Sequence, residues 1–340
     1  MDKLLTIVIP TYNMEKYLRH CLDSLIIDDK ELLKQYEVLV IIDGSKDSSS
    51  TIGHEYEDNY PQTIRVIDKE NGNYGSCVNR GLSEAQGKYI KILDADDYFN
   101  TKSLEFFLEY LETCDADMIV TDFSIVNEKY EKTMYQGFSY PRQELLHINN
   151  YCCSSDFCGP MSMHAVTYKT SILKQMNYRQ TTGVPYTDQE WVFEPIIHMD
   201  SFIYLPLDLY QYLVGRDGQT VAPDIINKNS KVMISLLLKR VSLLNDICQS
   251  SKISINKLNF LKEKLLISAT SLYRLGILGG NIDENLLREF DKTFKLLNTD
   301  VYDMIGNDKR NCLLGFNYVR AWRKNNIIVT SLIRIIRKIK

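Results

Sequence analysis

Three acids fall within four positions, Asp94-Ala95-Asp96-Asp97, directly after a strand-like run at 89–93. Carboxylates this close repel one another, and a hard divalent cation relieves the repulsion best, leaving coordination positions for phosphate oxygens and water. Mg2+ or Mn2+ holding a sugar diphosphate answers that description. The bland alternative is that the acids cap a helix beginning near Thr101 and Leu104.

Other polar clusters recur at similar places. Pro10-Thr11-Tyr12-Asn13 offers a ring on which a base can stack and an amide to bond it. Asp43 stands before Gly44 at a tight turn, with Asp47 or Ser48 placed to cap the next helix. The stretch from Glu70 to Gly81, with Asn71, Gly72, Ser76, Asn79 and Arg80, is a glycine-bearing loop entering a helix, which suits close approach to phosphate. Further on come Thr187-Asp188-Gln189-Glu190-Trp191 and Gly215-Arg216-Asp217-Gly218. Asp188 also suits the start of a capped helix, and Arg216 an ordinary turn.

These clusters need a frame that gathers them. Short β-branched runs at 4–9, 38–42, 64–67 and 89–93 are separated by helical patterns, the pattern of a mostly parallel, buried α/β sheet. In open sheets of this kind ligands bind beyond the carboxyl ends of the strands, which is where all four polar loops fall. Tyr17, Leu18, Cys21, Leu22, Leu25 and Ile26 keep helical spacing and predict a stripe packed on the sheet. From about 115 the pattern is mixed, with strands expected at 118–121, 164–168 and 202–205. After Pro223 it turns helical, at 232–248, 257–275 and 284–297. The expected organisation is a Rossmann-like domain at 1–224, with a nucleotide-sugar half at 1–110 and an acceptor half at 111–224, then a helical region at 225–340.

The four loops, taken in order, resemble the inverting glycosyltransferases of family 2, which have the GT-A fold; the match covers residues 3 to 110. By that resemblance Tyr12 stacks on the donor base with Pro10 and Asn13 beside it, and Asp43 binds the ring. Asn71, Gly72, Ser76, Asn79 and Arg80 face sugar or phosphate. Asp94 and Ala95 lie at the ribose or sugar, and Asp96 holds the metal with Asp97. The base that deprotonates the acceptor maps to Asp188, with Glu190 as its rival, and Arg216 maps to a mobile lid over the diphosphate. One departure is Ile42, where the family often has a second acid; that position is expected to point into the core. The glutamine-arginine-tryptophan signature of processive members is absent, which implies addition of a single sugar.

The resemblance implies transfer of one hexose or N-acetylhexosamine, with inversion, from a UDP-sugar to a glycan or lipid-linked acceptor during cell-surface polysaccharide or glycoconjugate synthesis. A sugar-phosphate nucleotidyltransferase would need a glycine-rich loop with a lysine near the N-terminus, and Pro10-Thr11-Tyr12-Asn13 is not one. A binding module without turnover is opposed by the intact acids. No G-x-G-x-x-G follows the first strand, and no phosphate-loop motif occurs.

The 340 residues are 44% hydrophobic and 25% charged, enough for one large domain and a smaller one. The net charge of −4 gives no bias toward nucleic acid. Eight scattered cysteines and no signal peptide predict reduced thiols and a cytoplasmic protein. No run of eighteen apolar residues occurs, so membrane contact is expected to be peripheral, at the inner face. From 319 onward seven cations and no acid stand among isoleucines, and 326–340 reads as a basic amphipathic helix for an anionic membrane surface, or for a second copy of the chain.

Overall fold

The computed structural model describes residues 3–216, 223–250, 253–313 and 315–324. The expectations for 326–340, and for the lid beyond Arg216, lie outside the described residues. The chain forms two compact units, Met1–Asp217 and Gly218–Lys340.

The first unit is built on a ten-stranded sheet of β1 Leu5–Thr11, β2 Tyr36–Asp43, β3 Ile64–Lys69, β4 Tyr89–Ile92, β5 Tyr98–Phe99, β6 Met118–Val126, β7 Lys132–Gln136, β8 Leu146–His147, β9 Val166–Lys169 and β10 Ser201–Leu213. The main order is β3-β2-β1-β4-β9-β6-β10-β5, with β7 on β6 and β8 on β10. Strands β1 to β4 pair in parallel, as do β6 and β10. The short β9 runs antiparallel to both β4 and β6 and joins the two parallel groups. Every residue of β1 and β2 is buried, which explains their near-continuous apolar sequences.

Five helices cover this frame: α1 Leu18–Asp23, α2 Lys30–Leu33, α3 Ser49–Asn59 and α4 Asn73–Glu84 precede β4, and α5 Thr101–Leu111 follows β5. The predicted stripe is largely realised, with Leu18, Cys21, Leu22 and Leu25 fully buried. Asn100, not the acids at 94–97, caps α5, accepting from the Ser103 N–H at 3.1 Å. Helix α4 lies close to the sheet because Gly81 has no side chain: a Cβ there would stand 2.4 Å from Val8 Cγ1. Short helices α6 Ile148–Tyr151, α7 Ser155–Cys158, α8 Thr170–Gln175 and α9 Asp188–Trp191 complete the unit.

The second unit is helical: α10 Pro223–Ser250, α11 Ile255–Tyr273, α12 Glu284–Leu297, α13 Thr299–Asn307 and α14 Tyr318–Arg323, with the hairpin of β11 Cys312–Leu313 and β12 Phe316–Asn317 before the last helix. Side-chain oxygens of Ser254, Asp283, Asn298 and Asn317 cap α11 to α14 in turn. Within the cation-rich stretch from 319, Trp322 and Arg323 pack against α12. Trp322 is 2% exposed and donates its indole N–H to Glu284 at 2.7 Å. Arg323 pairs with Asp291 at 2.8 Å. No described helix is long and apolar enough to cross a membrane.

Candidate active site

The chain leaves β4 at Leu93, whose N–H still bonds to the Val8 carbonyl, and turns at once, the Asp97 N–H closing on the Asp94 carbonyl at 2.9 Å. This tight turn puts the carboxylates of Asp94, Asp96 and Asp97 at one place, with one oxygen of each within 4.8 Å of the others. Their surroundings differ. Asp97 is 1% exposed, and its two oxygens accept from Tyr210 Oη at 2.6 Å and the Leu213 N–H at 2.7 Å. Any share that Asp97 takes in a cation therefore competes with those bonds. Asp94 accepts from Tyr74 Oη at 2.8 Å. Asp96 is paired with the Arg216 guanidinium, which also lies 5.5 Å from the Tyr17 ring centre.

Burial, and then the neighbouring Asp96, pushes the Asp94 carboxyl up to about 7, while the Tyr74 hydrogen bond pulls the other way. Asp97 is raised well above the carboxylate range by burial, then by Asp96 and Asp94. Three negative charges are unwelcome here without a cation, and an all-oxygen donor set of this kind suits Mg2+ or Mn2+.

Asp188 opens α9, near enough for its charge to act on Tyr74, Asp94 and Tyr212. The backbone before it is strained, with Tyr186 at φ +65°, a left-handed conformation costing a non-glycine residue on the order of 1–3 kcal/mol. Glu190 does not share this position. It is 7% exposed, and its oxygens accept from the Thr181 N–H and hydroxyl, both at 2.7 Å. Both oxygens thus brace its own chain.

The loop after β3 also departs from expectation in part. Asn79 bridges to the backbone of Gln180, donating to its carbonyl at 2.9 Å and accepting from its N–H at 2.8 Å. Gly75 permits the same approach, since a Cβ there would lie 2.1 Å from the Thr181 carbonyl oxygen. Arg80 points away on the outer face of α4, paired with Glu84. Asn79 therefore clasps α4 to the 180–181 segment, while Arg80 is engaged within α4 itself.

The rest of the loop closes on β2. Asp43 is 2% exposed, and one carboxylate oxygen takes Lys69 Nζ at 2.5 Å and the Gly72 N–H at 2.9 Å. The Asn71 amide donates to the Asp43 carbonyl, and Ser76 Oγ accepts from Lys69 at 2.9 Å. Ile42 is 2% exposed, pointing inward as its apolar side chain requires. Pro10 and Ala95 are buried beside these loops. Asn13 staples two loops, its amide oxygen accepting from the Lys46 N–H at 2.8 Å, whereas the Tyr12 ring is 45% exposed at the mouth. Asp47 accepts from the Glu15 and Ser49 N–H groups, the capping role expected of it.

Sequence reasoning missed Tyr74, Tyr210, Tyr212 and Lys69. The tyrosines of β10 alternate into the site along a strand longer than its apolar run. His164 lies behind them, its ring 4.5 Å from Tyr212 and 4.7 Å from Tyr210. Burial and then Lys91 press its pKa down to about 3, so it packs as a neutral ring.

The model of the family described as glycosyl transferase family 2 matches residues 6–167. The uncharacterized glycosyltransferase MG025 of Mycoplasma genitalium is 37% identical over 229 residues, 66% of this chain and 73% of that one. Glycosyltransferase GlyA of Streptococcus pneumoniae is 23% identical over 94% of this chain, and the match takes in 44% of GlyA. The chain thus spans less than half the length of this relative, and 39% of the MG025 homolog of Mycoplasma pneumoniae is matched. Among solved structures, S. aureus TarS 1-349 in complex with UDP-GlcNAc superposes with a TM-score of 0.66 at 17% identity, covering 98% of this chain and 91% of that one. Mannosyltransferase PcManGT from Pyrobaculum calidifontis, in complex with GDP-Man and Mn2+, gives 0.52 at 14% identity over 90% of this chain and 84% of that one. At such identities the likeness is one of fold, the GT-A fold.

Proposed function

The chain belongs to glycosyl transferase family 2 and is a glycosyltransferase, and from that premise we propose that it moves one hexose or N-acetylhexosamine, with inversion, from a UDP-sugar to a glycan or lipid-linked acceptor. The observation that carries this reading is the convergence of Asp94, Asp96 and Asp97 at the end of β4, within reach of the charge of Asp188.

In this reading Tyr12 stacks on the base and the buried Asp43 edge bounds its ring. Asp94 takes a hydroxyl of ribose or sugar. Asp96 is the protein's principal ligand for Mg2+ or Mn2+, and Asp97 is an anchor that fixes the turn. The bound cation supplies charge neutralisation for the departing diphosphate. Arg216, released from Asp96, adds a second positive charge on the same oxygens. Asp188 accepts the proton of the acceptor hydroxyl as that oxygen attacks the anomeric carbon opposite the diphosphate. The sequence of 326–340 supports docking on an anionic membrane surface, where lipid-linked acceptors reside.

A panel of UDP- and GDP-sugars with Mn2+ or Mg2+, scored for released nucleoside diphosphate with and without lipid-linked sugars, tests the assignment. One UDP-sugar should stand out, with release abolished by EDTA and by Asp96→Ala. A flat panel would mean that the chain binds sugar nucleotides or glycans without turning them over.

A further inference from the structure

Tyr74 is the second residue of α4, one turn from the loop that closes over Asp43. Nothing in the reaction above uses it, yet it is bonded directly to one of the donor acids. Its hydroxyl donates to Asp94 Oδ1 at 2.8 Å and rests 3.4 Å from Met163 Sδ. The charges of Asp94, Asp188 and Asp97 all act on it. Its place is fixed from two sides. Asn73 before it holds φ +65°, and Gly75 after it lies against the Thr181 carbonyl.

A carboxylate at a turn can rotate, and the charges around Asp94 pull it in different directions, Asp96 and Asp188 repelling it and Arg216 attracting it. A hydrogen bond to one oxygen leaves the other oriented for a substrate hydroxyl and lowers the ordering cost on binding. We propose that Tyr74 is a positioning residue that locks Asp94 for the sugar portion of the donor, and so sets how strongly the enzyme prefers UDP-sugar over UDP. This rests on the donor-site reading given under Proposed function.

The test is a double-mutant cycle of wild type, Tyr74→Phe, Asp94→Asn and the double variant. Each is titrated calorimetrically in Mn2+ with UDP and with the UDP-sugar that the donor panel selects, and thermal unfolding is recorded alongside. Tyr74→Phe should weaken UDP-sugar binding about tenfold, the scale of one hydrogen bond to a charged group, and leave UDP within about twofold. Against the Asp94→Asn background the same change should be silent within about twofold. Equal loss of UDP and UDP-sugar, or an undiminished effect in the Asp94→Asn background, would assign Tyr74 to packing and overturn the inference, as would a Tyr74→Phe enzyme that binds both ligands normally. Wild type that binds no UDP would instead bring down the donor-site reading and this inference with it. Wild type that binds UDP while Tyr74→Phe shows no selective loss would leave that reading standing alone.

Discussion

Asp96 and Asp97 are adjacent acids in one motif, and their surroundings call for opposite responses to removal. Asp97→Ala deletes the acceptor for two buried donors, Tyr210 Oη and the Leu213 N–H. Each orphaned buried donor costs about 1–3 kcal/mol, so the pair predicts a loss of roughly 2–6 kcal/mol. For a unit of this size each kcal/mol lowers Tm by about 2–4 °C, which places the shift at several degrees or more. Asp97→Asn should be far milder, because its amide oxygen still takes the Leu213 N–H and the change removes a charge that burial and two neighbours oppose. Asp96→Ala removes the carboxylate facing a largely buried guanidinium but also relieves the repulsion among three clustered acids, so its net cost should fall below that of Asp97→Ala. Metal affinity should rank the other way, with Asp96→Ala losing Mn2+ and Asp97→Asn retaining it. Differential scanning calorimetry without metal, and Mn2+ paramagnetic resonance with it, measure the two effects separately. The division of labour is refuted if Asp97→Ala unfolds no earlier than Asp96→Ala, or if Asp97→Asn abolishes Mn2+ binding while Asp96→Ala keeps it.

Asp188→Asn should lower kcat by about 10²–10⁴-fold while UDP-sugar affinity changes less than about twofold; a comparable loss of affinity would contradict its assignment as the base. Arg80→Ala should cost no more than about 0.5 kcal/mol and leave the donor KM unaltered, since Arg80 is itself exposed and its half-buried partner Glu84 keeps Arg65; a tenfold rise in KM would return Arg80 to the phosphates. His164 has a folded pKa below its unfolded one, so the unfolded chain binds the extra proton between about 6.5 and 3, and stability falls as pH drops through that window. Denaturant titrations of wild type and His164→Gln at pH 7 and pH 5 should show wild type losing up to about 1.4 kcal/mol more per pH unit; parallel losses would mean that the ring is solvated.

The helices and parallel strands were readable wherever one face is buried without interruption. The run at 284–297 becomes α12 with those same limits, because Asp283 caps it and its leucines and phenylalanines keep helical spacing. Strand β10 was read only to 205, because Pro206 and Asp208 break the apolar pattern; the chain continues to Leu213 through register shifts against β6 at those very positions. Tyr210 and Tyr212 went unseen with it. Strand β7 is exposed along most of its length, so burial left no pattern to find. At the site, the acids of β4 and Asp188 could be picked out by type and position. Glu190 could not be told from Asp188, since only the fold shows that Glu190 turns toward Thr181. Asn79 and Arg80 carry the residue types of an anion site, and nothing in their spacing reveals that one holds backbone and the other faces water.

The clasp between α4 and the 180–181 segment alters how a mutational survey of this enzyme should be read. Asn79 and Gly75 touch no atom of the donor in the proposed arrangement, yet they set the separation between the acids that hold the sugar and the helix that begins with Asp188. Loss of activity at either position would look, in a growth or turnover screen, like loss of a contact with substrate. What such a screen would register there is a ruler, and the fault in the variant would be one of distance.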